Sequence, residues 1–318
     1  MRFSVIIPLY NKAPYIKKAL DSVLSQTFKD YELIIIDDGS TDRSYAIAKE
    51  NLEGTSIEHN LIQQDNAGVS TARNNGVAAS KGDYICFLDA DDWWSPAFLE
   101  KMNSFIDDYP DAGIYGTNYY YVKNGRQRVC VTTAETGYIN YCRVYAEKLQ
   151  MPLTSISVAI PKHIFNEFNG FRPQLKLGED FDLWIRISLK YKVAFLNEPL
   201  AYYFQDSEAT WRLTGTLRDP KEHMLWNLKY LEHVEKNNPD YKKLIDNLRS
   251  YDLFPYYLSS QYRNAAKQEL AKVDWDRQPK KTLSLYNRPV LFLKCLYSFK
   301  KLGSAIKTRL IRLIDTMG

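Results

Sequence analysis

The first hundred residues alternate short apolar runs, rich in β-branched residues, with segments whose apolar residues recur at helical spacing. The runs at residues 3–8, 32–37, 57–63 and 84–88 predict four strands. Strands that alternate with helices are typical of a largely parallel sheet covered by helices. This alternation therefore predicts an α/β fold.

The rest of the chain predicts fewer strands and more helix. Residues 153–160 and 193–196 have the composition of strands, and residues 178–189 predict a loop that leads into a helix. From about residue 215 onward the chain is predicted to be helical, including residues 221–235 and 241–266.

Polar residues collect where each of the first four predicted strands ends. They lie at residues 8–11, 37–42, 66–68 and 89–92. In an open parallel sheet, the carboxyl ends of the strands form the edge at which ligands bind. The four motifs therefore predict one composite site at that edge.

The Asp-Ala-Asp-Asp motif at residues 89–92 predicts a metal site where a nucleotide diphosphate is held. The carboxylates of Asp89 and Asp91 can approach one divalent cation, and oxygen ligands suit Mg²⁺ or Mn²⁺. A structural alternative is an acidic loop before a helix, since Ser95 and Pro96 predict the N-cap and the first residue of a helix.

The turn after the second predicted strand allows both a structural and a binding interpretation. Gly39 permits a tight turn, and Ser40 or Thr41 can cap the helix that follows. Asp38 is not needed for capping, so its carboxylate could accept a hydrogen bond from the N–H of a base. Tyr10, after the first strand, could stack on that base or simply pack against the protein.

Three other charged residues are candidates at the same edge. Arg73, in a predicted helix after residues 66–68, could contact phosphate, brace the aspartates or lie on the helix surface. Glu179 and Asp180 lie at a predicted helix start, where the helix dipole favours carboxylates, so they could simply cap the helix. Alternatively, one of them could act as a general base.

Composition and missing motifs exclude several classes of protein. The chain has 318 residues, of which 45% are hydrophobic and 25% are charged, enough for a sizeable core. No phosphate-loop, dinucleotide-binding, zinc-protease or serine-hydrolase motif occurs, and no apolar run is long enough to span a membrane. Four scattered cysteines and no signal-peptide pattern lead us to expect a cytoplasmic protein.

The C-terminal segment is strongly basic. Residues 277–318 contain ten Lys or Arg and one acid, which gives this segment a charge of +9 and the rest of the chain about −5. From Val290 onward, apolar residues recur in steps of three or four, which predicts an amphipathic helix. Residues 288–318 could bind an anionic membrane surface or pack on the protein itself. We expect no nucleic acid partner.

The ordered set of motifs resembles glycosyltransferase family 2. The motifs that carry this resemblance are Ser4-Val-Ile-Ile-Pro-Leu-Tyr-Asn11, Ser25-Gln-Thr27, Asp37-Asp-Gly-Ser-Thr-Asp42, Asn66 to Gly76, Gly82-Asp-Tyr-Ile85, Leu88-Asp-Ala-Asp-Asp92 and Gly178-Glu-Asp180. They are dense over residues 1–100, resume at about residues 153–204 and fade afterwards. The resemblance implies the GT-A fold and inverting transfer of one sugar from a nucleotide diphosphate sugar, with a UDP-sugar as the expected donor and Mn²⁺ or Mg²⁺ as cofactor.

The resemblance also implies roles for single residues. The implied nucleotide-binding residues are Pro8, Tyr10, Asn11, Asp38, Arg73 and Asp89. Among them, Asp38 would face the uracil imide, and Asp89 would contact ribose or metal. Asp91 resembles the metal ligand. Asp180 resembles the catalytic base, with Glu179 supporting it.

The resemblance implies the following division of the chain. Residues 1–214 would form the GT-A domain, with a nucleotide-binding half at 1–100 and an acceptor half at 101–214; residues 215–276 would form a helical extension and 277–318 a basic amphipathic tail. Where the family often has Tyr-Arg-x-His, this chain has residues 202–207 without Arg or His, which leaves a third metal ligand open.

The acceptor is less defined than the donor. The Gln-x-x-Arg-Trp signature of processive polysaccharide synthases is missing, which favours a single addition to a saccharide or a lipid-linked acceptor, at the inner face of the cell membrane. Two alternatives remain at this point: a sugar-phosphate nucleotidyltransferase and an inactive module that binds sugar nucleotides.

Overall fold

The computed structural model describes residues 1–205 and 217–294 and contains two compact units, Met1–Leu244 and a second one that begins at Ile245. The strands, all in the first unit, are β1 (Phe3–Leu9), β2 (Tyr31–Asp37), β3 (His59–Gln63), β4 (Tyr84–Phe87), β5 (Trp93–Trp94), β6 (Ala112–Lys123), β7 (Arg126–Val129), β8 (Gly137–Ile139), β9 (Val158–Pro161) and β10 (Lys192–Phe204). The helices are α1 (Ile16–Leu24), α2 (Ser44–Leu52), α3 (Val69–Ala79), α4 (Phe98–Asp108), α5 (Tyr141–Lys148), α6 (Lys162–Glu167), α7 (Glu179–Ser188), α8 (Glu232–Asn237), α9 (Pro239–Asp252), α10 (Phe254–Leu258), α11 (Arg263–Leu270) and α12 (Lys280–Tyr286).

All ten strands belong to one sheet, in the order β3-β2-β1-β4-β9-β6-β10-β5, with β7 paired to β6 and β8 to β10. The first four strands are parallel, as are β6 and β10, whereas β9 runs antiparallel between β4 and β6. The carboxyl ends of β1 to β4 therefore share one edge. This is the α/β sheet that the sequence predicts.

The predicted apolar stripes form the core. On α1 the residues Ile16, Leu20 and Val23 are completely buried, and α4 buries its whole apolar face against the same side of the sheet. Full burial of one such side chain stabilises the fold by roughly 1.5–3 kcal/mol. Helix packing of this kind holds the polar edge in place.

One predicted strand is wrong in most of its length. Of residues 153–160, only the last three lie in a strand, β9, while Ser155–Ser157 form a turn of 3₁₀ helix. The Thr154 hydroxyl accepts a hydrogen bond from the Ile156 N–H, and the Ser157 hydroxyl accepts one from the Thr154 N–H. These side chains satisfy the backbone locally, which competes with strand pairing.

Both predicted helix caps are wrong. Helix α4 begins at Phe98, and its N-cap is Ala97, because the Ser95 carbonyl is used in a turn to Phe98. Ahead of α2, the Asp42 carboxylate accepts hydrogen bonds from the Ser44 N–H and hydroxyl, at 2.9 and 2.5 Å. Ser40 and Thr41 instead contact Asn11 in the neighbouring loop.

The predicted C-terminal helices are interrupted. Residues 221–231 form successive 3₁₀ turns and only residues 232–235 belong to α8, because the His223 ring accepts the Leu225 N–H and ends the first turn. The predicted helix at residues 241–266 is divided into α9, α10 and α11. The two compact units divide at residues 244/245, inside α9.

Two further features of the described residues are the state of the cysteines and the length of the helices. Cys86, Cys130 and Cys142 are buried free thiols; Cys295 and most of the predicted basic helix lie outside the described residues. Within residues 1–205 and 217–294, no helix is long and apolar enough to cross a membrane.

Candidate active site

The loops after β1 and β2 are joined by Asn11. Its backbone has a φ of 50°, and its side-chain oxygen accepts hydrogen bonds from the Thr41 and Asp42 N–H groups, at 2.8 and 3.3 Å. Its own N–H donates to the Ser40 hydroxyl. Asn11 was predicted to bind nucleotide, and here its side chain shapes the two loops that border the site.

Tyr10 presents an accessible ring at this edge. Its relative exposure of 41% is high for a large aromatic residue, and it follows the half-buried Pro8 by two positions. An exposed ring beside a polar site offers a face on which a planar base can stack. The arrangement is compatible with the predicted base-binding role of both residues.

Asp38 is buried and already holds the loop after β3. Its carboxylate accepts hydrogen bonds from the Gln64 amide, the Ala67 N–H and the Gly68 N–H, at 2.7 to 2.9 Å. A carboxylate offers about four acceptor positions, so about one remains for a ligand. Asp38 therefore organises the loop and retains about one unused acceptor position.

Arg73 connects the aspartate motif at residues 89–92 with Glu179 at the start of α7. Its buried guanidinium donates to Asp89 Oδ1 at 2.7 Å and to Glu179 Oε1 at 3.2 Å. Although burial opposes it, the two carboxylates hold the pKa of Arg73 above its ordinary value. Three roles were expected for Arg73, and these hydrogen bonds correspond to the one in which it braces the acidic residues.

Asp91 and Asp92 have different surroundings. Asp91 Oδ2 accepts a hydrogen bond from the Lys12 ammonium at 2.5 Å. Asp92 Oδ1 accepts the Phe204 N–H at 2.7 Å, and its Oδ2 is buried without a partner among the described residues. Burial, together with the charges of Asp91 and Asp89, raises the pKa of Asp92 well above its ordinary value.

Asp180 is the second residue of α7, directly after Glu179. Its Oδ1 accepts the N–H of Phe181 at 2.8 Å, and Gly178 precedes the helix with a φ of 79°. Burial and then the adjacent Glu179 carboxylate raise the pKa of Asp180 to about 7. A carboxylate with a pKa near neutrality is suited to accept a proton in catalysis.

The aspartates could hold a divalent cation only if a bound diphosphate supplied further oxygen atoms. Asp91 Oδ1 and the unpartnered Asp92 Oδ2 are hard oxygen donors, as Mg²⁺ and Mn²⁺ prefer. Yet within the described part of the chain no three acidic, His or Cys side chains are grouped to hold a metal. A diphosphate would have to complete the ligand set. Of residues 202–207, where a third ligand was left open, Asp206 is the one acidic residue, and it lies outside the described residues.

Sequence reasoning missed three participants in the site. Lys12 pairs with Asp91, the Ser155 hydroxyl donates to Asp89 Oδ2 at 3.3 Å, and the Phe204 backbone binds Asp92. Of the three, only Lys12 could have been predicted from the sequence, because it is a cation next to Asn11 at the sheet edge where a ligand was expected to bind. The other two reach the site from β10 and from the turn before β9, which no local pattern indicates.

Comparisons with known proteins agree with the fold. The family model described as glycosyl transferase family 2 matches residues 4–172. The glycosyltransferase GlyA of Streptococcus pneumoniae serotype 4 is 41% identical over 121 residues, which are 37% of this chain and 17% of GlyA. Two further curated relatives are also matched over only about a third of their own length.

Solved structures resemble most of the chain. The structure of S. aureus TarS 1-349 in complex with UDP-GlcNAc matches with a TM-score of 0.72 at 20% identity, covering 89% of this chain and 83% of that one. A mannosyltransferase from Pyrobaculum calidifontis, in complex with GDP-Man and Mn²⁺, matches with a TM-score of 0.51 at 17% identity, covering 87% and 88%. At such identities the likeness shows the fold alone.

Proposed function

The chain belongs to glycosyltransferase family 2 and has the GT-A fold, and from that premise we propose that it transfers a single sugar, with inversion, from a UDP-sugar to a saccharide or lipid-linked acceptor. The observation that carries this proposal is the Arg73 bridge between Asp89 and Glu179. It connects the aspartate motif of the proposed donor site to the helix start that bears Asp180.

Asp180 is proposed as the general base. It takes the proton from an acceptor hydroxyl while the oxygen of that hydroxyl bonds to the anomeric carbon of the donor. The bond from that carbon to the diphosphate oxygen breaks on the opposite face, so the configuration inverts. A general base contributes about 10²- to 10⁴-fold in rate. Its pKa of about 7 leaves much of Asp180 ionised at neutral pH.

The diphosphate would be received at Asp89 and Asp91. A bound Mg²⁺ or Mn²⁺ would act there as a Lewis acid that stabilises the charge of the leaving diphosphate. The UDP part of the proposal is supported by the exposed ring of Tyr10 and by the remaining acceptor position on Asp38. It is also supported by the complex of TarS with UDP-GlcNAc.

A row of aromatic side chains is the proposed acceptor surface. The register of β6, β10 and β5 places Tyr120, Tyr202 and Trp93 side by side, with ring centroids 5.2 and 5.3 Å apart. The central ring of the row, Tyr202, lies on β10, whose Phe204 N–H donates a hydrogen bond to Asp92. Rings with hydroxyl groups suit a sugar, which presents both C–H faces and hydroxyls. Tyr202→Leu should raise the KM for the acceptor, whereas Tyr138→Leu, at the exposed position of β8, should not.

The experiment that tests the function is a donor screen followed by a substitution. Purified protein is incubated with UDP-sugars and Mn²⁺, and release of UDP with and without a saccharide acceptor is measured. Asp180→Asn should reduce transfer by about 10²-fold or more while UDP still binds. Asp21→Asn, on the exposed face of α1, serves as the control. Full transfer by Asp180→Asn would refute the assignment of the base, and UDP binding without any turnover would indicate an inactive module.

The proposed location is peripheral, at the inner face of the cell membrane. Next to Arg288, the side chains of Leu291 and Phe292 are 76% and 45% exposed. These apolar side chains stand at the start of the segment whose sequence carries the excess of basic residues. Such a combination supports binding to an anionic lipid surface, where a lipid-linked acceptor would be found.

A further inference from the structure

Among the described residues, Lys12 is the only cation that forms an ion pair with Asp91, the aspartate proposed as metal ligand. Its ammonium lies 2.5 Å from Asp91 Oδ2, and both side chains are largely buried, with 19% and 17% of their surface exposed. Its backbone is fixed, because the Lys12 N–H donates to the Ser44 hydroxyl and the Lys12 carbonyl accepts the N–H groups of Tyr15 and Ile16. Only the side chain is free to move.

The two cations of the site are held differently. Arg73 is bound by two carboxylates and its side chain is 4% exposed, so moving it would leave a buried charge unpaired. Lys12 forms a single ion pair at the end of a flexible stem. Of the two, Lys12 is therefore the cation that can change partner at the lower cost in free energy.

An ammonium at this distance competes with a metal ion for the same oxygen. A divalent cation bound at Asp91 Oδ2 would lie within contact of the Lys12 nitrogen, and two like charges that close repel each other strongly in a partly buried site. In the described part of the chain Asp91 Oδ1 has no such partner, but a divalent cation bound there would still lie beside the Lys12 ammonium, so metal binding is favoured when Lys12 leaves Oδ2. A donor diphosphate, with its negative oxygens, offers the released ammonium a new partner.

We propose that Lys12 is a positioning residue that couples metal binding to donor binding. Without donor, Lys12 neutralises Asp91 and opposes occupation of Asp91 by a metal ion; with donor, Lys12 binds the diphosphate and leaves Asp91 to the metal. The inference rests on the proposed function, because it needs a diphosphate ligand at this edge. Each ligand then increases the affinity of the protein for the other by the same factor.

The test measures binding of Mn²⁺ and UDP to the full chain by calorimetry and by the electron paramagnetic resonance of free Mn²⁺. Lys12→Met removes the ammonium and keeps most of the stem. We expect this variant to bind Mn²⁺ alone about tenfold more tightly than the natural protein, and to bind UDP in the presence of Mn²⁺ about tenfold more weakly. Loss of fold would weaken both, so effects of opposite sign are specific to the proposal.

Lys17→Met is the matched control. It removes another Lys–Asp pair, with Asp21, from the exposed face of α1, and it should change neither affinity. Lys12→Arg keeps the charge and should recover part of the UDP affinity. Unchanged or weaker binding of Mn²⁺ alone by Lys12→Met would overturn the proposal. Should the natural protein bind no UDP, the proposed function fails, and the measurement with Mn²⁺ alone still decides whether Lys12 opposes the metal.

Discussion

Glu179 acts on Asp180 through its charge as well as on Arg73 through a hydrogen bond. It is the second cause, after burial, of the raised pKa of Asp180. Together with Arg73 and Asp89, it forms a line of alternating charges from the aspartate motif to the start of α7. The reactivity proposed for Asp180 is therefore set by its neighbours, and it can be changed without altering Asp180 itself.

Glu179→Gln should shift the pH dependence of transfer to lower pH. The active form of Asp180 is the carboxylate, so kcat/KM should rise with pH and reach half of its maximum near pH 7. Removal of the Glu179 charge should lower this midpoint by about one unit. Glu147→Gln, on an exposed part of α5, should leave it in place. The measurement is kcat/KM as a function of pH, and an unchanged or higher midpoint would count against the assignment of Asp180.

Asp92 combines a structural hydrogen bond with an unfavourable charge. Its Oδ1 fixes the end of β10 through the Phe204 N–H, while its Oδ2 lies buried without a partner among the described residues. Because the pKa of Asp92 is raised in the fold, its ionisation favours the unfolded chain. This cost is absent below the ordinary pKa of 3.8 and grows as the pH rises toward the higher pKa of the folded state.

Two substitutions at Asp92 should have opposite effects on stability. Asp92→Asn keeps an acceptor for Phe204 and removes the charge, so it should raise Tm near neutral pH, by a smaller amount at about pH 5. Asp92→Ala loses the hydrogen bond and should destabilise the fold by about 1–3 kcal/mol. Thermal denaturation followed by circular dichroism measures both. A lower Tm for Asp92→Asn at neutral pH would contradict the charge argument.

At the scale of elements, the amino ends of β1, β2 and β4 are joined by one buried carboxylate. Glu32 Oε1 accepts the Ser4 hydroxyl at 2.6 Å, the Lys81 N–H at 2.5 Å and the Gly82 N–H at 3.2 Å. The strands are thus held together at the edge opposite the site. Their carboxyl ends carry the loops that bind one another through Asn11 and Asp38.

Gly82 should tolerate no side chain at this junction. A Cβ at residue 82 would lie 2.6 Å from the carbonyl carbon of Phe3 and 2.7 Å from the nitrogen of Ser4, both backbone atoms that cannot easily move. Gly82→Ala should therefore lower the free energy of unfolding by about 1–3 kcal/mol. Gly125→Asn is the control, since its turn is open and asparagine tolerates a positive φ. Urea denaturation compares the two, and equal stability would show that β4 can shift at no cost.

At the scale of the whole molecule, charge is distributed unevenly along the chain. The excess of basic residues begins at residue 277, after a body with a small negative charge. Such an asymmetry favours contact of one segment with an anionic surface and is weakened by salt. The proposed membrane contact is therefore a property of one segment of the chain and not of the catalytic fold.

Binding to vesicles should depend on this segment. The full chain should sediment with vesicles that contain phosphatidylserine, and less so at high salt. Leu291→Ser combined with Phe292→Ser should weaken binding by about tenfold, since both apolar side chains would lose their lipid contacts. Tyr251→Ser removes a side chain that is 71% exposed elsewhere and should have no effect. Full binding after deletion of residues 288–318 would contradict the proposal.

The sequence by itself determined the α/β class, the first four strands and the sheet edge at which the candidate site was proposed. Apolar periodicity and turn chemistry act between residues close in the chain, so they can be read without tertiary structure. The same local patterns predicted residues 221–235 as one helix, and there the His223 side chain overrides the apolar spacing.

Only the tertiary structure decided which charges meet. Arg73 and Glu179 are 106 residues apart, Lys12 and Asp91 are 79 apart, and Ser155 reaches Asp89 from 66 residues away. These pairings depend on the order of strands in the sheet, which places β1, β4 and β9 side by side. Coulomb energy depends on distance in space and on burial, and neither quantity is encoded in the spacing of residues along the chain.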